Sequence, residues 1–341
     1  MKIAMISFTG NGRRLEKSLA HELEKEGHQV LQAVKCKELE SDEDAVKCSA
    51  REWTGEQFRT RDVLIFIGAV QIAVRLIASF IGSKTTDPAV LVLDEKGQYC
   101  IPILSGHIGG ANEMAERIAE MAGTLPVITT ATDIRGKWAI DVFARKNHLY
   151  IEDMQKAKQI SAKILEGKTV VAAIESGRDS IEGTVPEEVK IVPETYENPD
   201  IYIGIYERKL SSHVLRLIPQ RITVGIGCRR GTSAEQIEQL VDKILKESHI
   251  NKKSIGRIAS IDLKKDEEGL LTFCNKFYPA EELKKVEGEF SVSTFVKKVT
   301  GVDNVCERSA VYTGGTLRIR KQAENGVTAA FAWDNWRVKF E

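Results

Sequence analysis

The segment Ile101-Pro102-Ile103-Leu104-Ser105-Gly106-His107-Ile108-Gly109-Gly110-Ala111-Asn112 passes from an apolar run to small and polar residues. An amphipathic helical pattern, Glu113 to Met121, follows it directly. This order predicts a strand, a glycine-rich turn and a helix, the repeating unit of α/β folds. Because the turn would present backbone N–H groups at the positive end of a helix dipole, it is either an anion-binding loop or a catalytic loop.

The same alternation of strand and helix patterns extends outward from this segment. Val63 to Val70 is a continuous apolar run, as expected of a strand buried on both faces of a parallel sheet. Asp94-Glu95-Lys96-Gly97 separates two further strand patterns and predicts a hairpin-like turn. We therefore predict an α/β fold, with an N-terminal mostly parallel-sheet α/β region followed by a separate smaller C-terminal α/β domain.

Changes in composition along the chain predict three regions. The stretch 175–200 is rich in glycine, proline and acidic residues, which favours irregular surface or a small subdomain. Pro219-Gln220-Arg221 precedes a new strand and marks a boundary. The expected regions are an N-terminal α/β domain at 1–135 with the SGHIGGAN and ITTATD blocks, a middle region and linker at 136–218, and a C-terminal α/β domain at 219–341 with the GIGCRRG loop.

The charge balance and the cysteines limit the functional classes. The chain of 341 residues has 49 lysines and arginines against 49 aspartates and glutamates. It therefore lacks the broad basic field that binding to nucleic acid or to an anionic membrane requires. Its 6 cysteines are scattered without a Cys-x-x-Cys pair, which predicts free thiols in a reducing cytoplasm and no protein metal site.

The first candidate site is the turn around His107. A histidine just before a helix start is expected to stay neutral, because the helix dipole disfavours imidazolium, and a neutral imidazole can act as a general base. The N–H groups of Gly109 and Gly110 could hold an oxyanion. Alternatively, the glycines serve tight turning and Asn112 caps the helix. Ser105 and Glu113 are the other candidate catalytic residues of the segment, and its candidate substrate-binding residues are Gly109, Gly110 and Asn112.

The second candidate site follows the next strand. Loops at the carboxyl ends of parallel strands share one edge of a sheet, so this block should lie beside His107. The alternative is that its threonines serve β-propensity and its aspartate caps a helix. Asp133 is the candidate catalytic residue of the block, and its candidate substrate-binding residues are Thr129, Thr130 and Thr132.

Two further loops carry positive charge. In Gly82–Pro88, Lys84 could pair with a ligand carboxylate that Asp87 helps to orient, or the loop is a solvated turn. In Val224–Thr232, the glycines, including Gly227, do not match the dinucleotide-binding spacing. The basic residues of that loop, which suit carboxylates, are Arg229 and Arg230. Its cysteine, Cys228, is more often a small buried residue than a nucleophile.

Several blocks together resemble the CbiG proteins, the cobalt-precorrin-5A hydrolases of anaerobic cobalamin biosynthesis. The resemblance covers most of the chain and is weakest in residues 1–60 and 150–215. The closing Gly326-Val327-Thr328 and the stretch Gly225–Arg229 are similar to the C-terminal domain of that family. The blocks that carry the resemblance in the first half are Gly68–Arg75, Lys84–Val90, Leu104–Asn112 and Val127–Asp133.

The resemblance implies a specific reaction. The family opens the δ-lactone of cobalt-precorrin 5A with water and releases a two-carbon fragment as acetaldehyde, giving cobalt-precorrin 5B. It is thus a hydrolase acting on a carbon–carbon bond, and the cobalt belongs to the substrate, so no cofactor is expected. His107 would be the base, oriented by Asp133 or Glu113. The cations expected to bind the carboxylates of the corrinoid are Arg75, Lys84, Arg229 and Arg230.

Two alternatives remain at the level of the sequence. A non-catalytic corrinoid carrier of the same pathway would bind the macrocycle without releasing acetaldehyde. A phosphate-ligand enzyme of general α/β type is favoured by the two glycine-rich loops alone, although neither has Walker A or Rossmann spacing. The expected partners are a small-molecule corrinoid and, transiently, other enzymes of the pathway, and the oligomeric state is open.

Overall fold

Residues 1–83, 85–176 and 180–340 are described by the structure, a computed structural model, with the side chain of Phe295 excepted. The chain divides into an N-terminal unit, Met1–Val142, and a C-terminal unit, Phe143–Glu341. Across the described residues, no helix combines the length and the apolar character needed to cross a bilayer.

The N-terminal unit alternates strands with helices. Its strands are β1 (Lys2–Ser7), β2 (Gln29–Leu31), β3 (Val63–Ile67), β4 (Ala89–Leu93), β5 (Tyr99–Leu104) and β6 (Leu125–Pro126). Its helices are α1 (Gly10–Lys25), α2 (Ala50–Thr60), α3 (Val70–Ile77), α4 (Ala111–Ala122), α5 (Ala131–Ile134) and α6 (Ile140–Lys146), the last of which continues into the C-terminal unit, and a short 3-10 helix spans Lys37–Leu39.

The sheet of this unit has the strand order β2-β1-β3-β4-β5-β6 over the described residues. Neighbouring strands run parallel except β4 and β5, which are antiparallel. The hairpin expected at Asp94–Gly97 is therefore present. It reverses the chain, so the carboxyl end of β5 lies beside the amino end of β4.

Helices cover both faces of this sheet. On one face α1 and α4 pack their apolar stripes, including Leu23 and Ile118, against the strands. On the other face α2 and α3 do the same with Trp53 and Ile77. Every residue of β3 and of β4 is buried, which explains why both read as continuous apolar runs rather than as alternating patterns.

The C-terminal unit contains the remaining elements. Its strands are β7 (Leu149–Ile151), β8 (Val170–Ile174), β9 (Ile181–Glu182), β10 (Val189–Val192), β11 (Ile201–Ile203), β12 (Leu215–Pro219), β13 (Ile222–Cys228), β14 (Ile255–Ile261), β15 (Lys276–Tyr278), β16 (Thr316–Glu324), β17 (Val327–Trp333) and β18 (Val338–Lys339). Its helices are α7 (Met154–Leu165), α8 (Ala234–Glu247), α9 (Glu268–Leu271), α10 (Ala280–Lys285), α11 (Thr294–Thr300) and α12 (Val305–Val311), with 3-10 helices at Lys252–Ser254 and Asp262–Lys264.

These strands form sheets in the orders β10-β8-β11-β12-β7 and β15-β14-β13-β17-β16, with β18 and β9 paired separately. In the first sheet, β7 is antiparallel to β12 and the other described pairs are parallel. In the second sheet, β17 is antiparallel to both of its neighbours, β13 and β16, and the other described pairs are parallel. The predicted fold class is thereby confirmed. Within the stretch predicted to be irregular surface or a small subdomain, β10 adds its buried Val189 and Val192 to the edge of a sheet.

Candidate functional site

The candidate site lies at one edge of the N-terminal sheet, where the turns after β5 and β6 meet. These two strands are parallel, so the segments that follow them run toward the same edge of the sheet. The antiparallel pairing of β4 and β5 brings the loop before β4 to the same edge, where the Ser105 hydroxyl donates to the Asp87 carbonyl over 3.1 Å. The site therefore forms beside the amino end of β4 rather than beside its carboxyl end.

His107 lies between two carboxylates at this edge. Its Nε2 is 2.7 Å from Oδ2 of Asp133, and its Nδ1 is 3.3 Å from Oδ2 of Asp141. Only 12% of the His107 side chain is exposed. Ionised carboxylates accept hydrogen bonds and cannot donate them, so both ring nitrogens must carry protons for both contacts to form.

The charge on His107 is therefore the reverse of the sequence-based expectation. Hydrogen bonding to Asp141, and next to Asp133, raises the pKa of His107 to about 9 against the opposing effect of burial. The expectation of a neutral imidazole is wrong, because the dipole at the start of α4 is a weaker influence than two carboxylates in contact. The two carboxylate contacts thus favour the imidazolium form of His107 at neutral pH, and that form can give up a proton rather than take one.

Asp133 is held through one of its two carboxylate oxygens. Oδ2 accepts from the Asn112 amide over 2.9 Å in addition to its contact with His107. The same amide also donates to the Thr130 hydroxyl over 2.9 Å, and the Thr132 hydroxyl lies 3.3 Å from Nε2 of His107. The other oxygen, Oδ1, has no hydrogen-bond donor among the described residues, and 35% of the side chain is exposed. Asp133 thus presents one fixed, open oxygen.

The sequence-based roles of several neighbours change accordingly. Asn112 is not a cap, because Gly110 occupies the cap position of α4 and Asn112 is buried within the first turn. The Gly110 N–H donates to the His107 carbonyl over 3.1 Å, so it is not open to an oxyanion. The Gly109 N–H has no acceptor among the residues that the structure describes. A side chain at Gly109 would collide with the Cβ of Ser105 at 2.4 Å, so tight packing of the turn explains this glycine.

Comparison with protein families identifies the chain. Three family models match it in order: "Cobalamin synthesis G N-terminal" (CbiG_N) at residues 52–133, "Cobalamin biosynthesis central region" (CbiG_mid) at 138–219 and "Cobalamin synthesis G C-terminus" (CbiG_C) at 222–332. The chain belongs to the CbiG family. His107 and Asp133 lie within the N-terminal match, and Asp141 lies within the central one.

Curated CbiG relatives match over most of their length. A cobalt-precorrin-5A hydrolase of Priestia megaterium is 34% identical over 81% of this chain and 79% of its own. The protein of the same name from Salmonella typhimurium is 35% identical over 80% of this chain and 82% of its own. A probable cobalt-precorrin-5A hydrolase of Methanocaldococcus jannaschii is 30% identical over 81% of this chain and 87% of its own.

The other predicted residues of the N-terminal CbiG segment lie around the site or outside the described residues. The Asp87 carboxylate accepts the N–H groups of Gly82 and Ser83, so it stabilises its own turn. Lys84 lies outside the described residues. The remaining predicted residues have exposed side chains: Arg75 on α3, Glu113 in the first turn of α4, and Thr129 before α5.

The arginine loop of the C-terminal CbiG segment belongs to the other unit. A Cβ on Gly227 would lie 2.7 Å from the Thr328 hydroxyl of β17, so this glycine serves strand packing. The Arg229 N–H donates to Gly326 over 3.1 Å, whereas the side chain of Arg230 is 91% exposed. Burial raises the pKa of the Cys228 thiol, which agrees with the interpretation of this residue as a packing residue.

Sequence reasoning missed Asp141. The residue stands alone among apolar neighbours at the start of α6, and no motif marks it. The described residues contain no cluster of three or more His, Cys, Asp or Glu side chains suited to a metal. Only the fold brings α6 to the Nδ1 side of His107.

Proposed function

We propose that this chain is a cobalt-precorrin-5A hydrolase of cobalamin biosynthesis. The proposal rests first on the curated relatives of that name, at 34% and 35% identity over about four fifths of the chain. The structural observation that carries it is the contact between His107 and Asp133, in which an imidazolium adjoins a carboxylate with one open oxygen. Hydrolysis requires both a proton donor and a proton acceptor, and this pair supplies one of each.

The reaction we propose begins at the δ-lactone of the substrate. Water adds to the lactone carbonyl carbon and gives up a proton, the ring carbon–oxygen bond breaks, and the departing oxygen takes up a proton. The freed alcohol then loses its proton and leaves as acetaldehyde when its carbon–carbon bond to the macrocycle breaks, with the electron pair of that bond passing to the macrocycle. The Gly109 N–H and the charge on His107 would stabilise the oxyanion formed by addition of water.

Substrate binding in this proposal uses the exposed cations. A corrinoid carries several carboxylates, and arginine pairs with carboxylates through parallel hydrogen bonds. Arg75, Arg229 and Arg230 are each exposed, and each is proposed for this role. Lys84 is proposed on the sequence alone. We propose no protein cofactor, and the cobalt is part of the substrate.

The proposal is tested with purified substrate and the full-length protein. Acetaldehyde is measured with a coupled aldehyde assay, and lactone opening is followed separately as the gain of one water by mass spectrometry. His107→Gln should lower kcat by about 10²- to 10⁴-fold, the usual contribution of a general acid or base. The matched control is His213→Gln, since His213 is exposed in the C-terminal unit.

Two results would contradict the proposal. A wild-type protein that binds the corrinoid but yields neither water uptake nor acetaldehyde would be a carrier rather than a hydrolase. A His107→Gln variant with the rate of the His213→Gln control would place the reaction elsewhere in the chain.

A further inference from the structure

The two carboxylates at His107 differ in their surroundings. Asp133, on α5, meets Nε2 at 2.7 Å and is 35% exposed, whereas Asp141, on α6, meets Nδ1 and is 13% exposed. Both oxygens of Asp141 lie close to Nδ1, at 3.2 and 3.3 Å. A substrate arriving from solvent therefore meets the Asp133 side of the ring, and the ring itself separates Asp141 from it.

We infer that Asp141 is the positioning residue of this site: by occupying Nδ1 it holds His107 doubly protonated, so that His107 acts as the acid and Asp133 as the base. This assignment rests on the proposed function. In the proposed reaction the open oxygen of Asp133 takes the proton of the attacking water. His107 then gives its Nε2 proton to the departing oxygen, and the proton taken by Asp133 restores the pair.

The pairing accounts for the geometry better than a capping role does. Asp141 accepts the neighbouring Val142 N–H over 3.1 Å, which a residue at a helix start can do without a histidine nearby. A cap has no need of contact with an imidazole, yet both oxygens of Asp141 face Nδ1. Asp133 from α5 and Asp141 from α6 both contact the ring, and the first turn of α4 carries the exposed Glu113.

The test combines a titration with a pH–rate profile. Asp141→Asn keeps the size of the side chain but removes its charge, so the pKa of His107, about 9 in the wild type, should fall toward its ordinary value. The ring signals of His107 in NMR spectra, assigned with His107→Gln, report this directly. Above this lower pKa His107 is neutral and cannot act as the acid, so kcat near pH 8.5 should fall by about 10- to 100-fold. The kcat near pH 6 and the KM should stay within a few-fold of the wild-type values.

Two further variants serve as controls. Asp141→Glu restores the charge and should recover much of the alkaline activity. Asp153→Asn removes a capping aspartate, since Asp153 accepts the Gln155 N–H at the start of α7, and it should leave the His107 titration unchanged.

The outcomes separate this inference from the proposed function. Two outcomes overturn the role of Asp141 but leave the proposed function in place. In the first, Asp141→Asn does not change the pKa of His107. In the second, Asp141→Asn keeps its activity at alkaline pH although His107→Gln is inactive. If Asp141→Asn lowers the pKa of His107 but His107→Gln hydrolyses the substrate at the wild-type rate, both the acid and base assignments and the proposed site are wrong.

Discussion

Two glycine-rich turns of this chain, each between a strand and a helix, have different surroundings. The turn 105–110 precedes α4 and lies against α5 and α6, which bring two carboxylates to one histidine. The second turn, defined here as 225–232, includes the last four residues of β13 and precedes α8. Packing explains the glycine at its strand end, because a Cβ on Gly225 would lie 1.9 Å from the Cys306 carbonyl of α12, whereas a φ of +74° explains Gly231.

The difference shows that glycine spacing alone does not identify a catalytic turn. In the first turn the Thr130–Asp133 segment supplies polar partners to the histidine. In the second, the Thr232 hydroxyl donates to the Arg229 carbonyl and the Gly231 N–H to Glu267, so these contacts stabilise the turn itself. The side chains that neighbouring elements bring to each turn, and not the glycines, therefore distinguish the two turns.

The largest expected effect is at the open carboxylate of the first turn's site. Asp133→Asn removes the proposed base while keeping a side chain that can accept from Asn112, so kcat should fall by about 10²- to 10⁴-fold at every pH. The acetaldehyde assay measures this. Glu267→Gln, at the carboxylate of the second turn, is the matched control, and an equal loss there would remove the distinction between the turns.

The second expected effect is on stability as a function of pH. The folded-state pKa of His107, about 9, exceeds its unfolded value, so its contribution is complete below about pH 6.5 and is lost as the pH rises through 9. The shift corresponds to at most about 3 kcal/mol. Urea unfolding near pH 6 and pH 10 should show this loss in the wild type.

His107→Gln should lack this component of the pH dependence, and the difference between the two proteins isolates it from other titrating groups such as Glu16, whose pKa burial raises to about 7. If the free energy of unfolding changes equally with pH in both proteins, the neighbours of His107 do not raise its pKa.

The third expected effect concerns the packing role of Gly225, at the β13 end of the second turn. Gly225→Ala would force a methyl group into the Cys306 carbonyl, and overpacking of this kind costs about 1–3 kcal/mol of unfolding free energy. The kcat of the folded fraction should stay near wild type. Thermal unfolding and the acetaldehyde assay measure the two quantities, and a stable but inactive variant would assign chemistry to this turn.

The smallest expected effect is at the exposed cation of the second turn. Arg230→Gln removes one solvated charge from the proposed substrate contacts, and an exposed ion pair is worth about 0.2–1 kcal/mol. KM should rise about 1.5- to 5-fold with kcat unchanged, and the rise should shrink at high salt. A change in kcat instead would place Arg230 close to the reacting atoms.

Much of the fold could be predicted from the sequence, and part of the site could. Buried runs such as Val63–Ile67 and the amphipathic stripe of α4 are visible because burial acts on residues close in sequence. The pairing of His107 with Asp133 was expected from strand order. Asp141 was not, because its contact with His107 joins residues 34 positions apart and the sequence gives no sign of it.

The sequence by itself determined the α/β class, the strand–turn–helix around His107 and the resemblance to the CbiG family, since each depends on local order and composition. The tertiary structure decided the charge of the histidine. That charge depends on which groups occupy Nδ1 and Nε2, and those groups come from two other helices. The position of the site also depends on the tertiary structure. Because β5 pairs antiparallel with β4, the turn after β5 lies beside the amino end of β4.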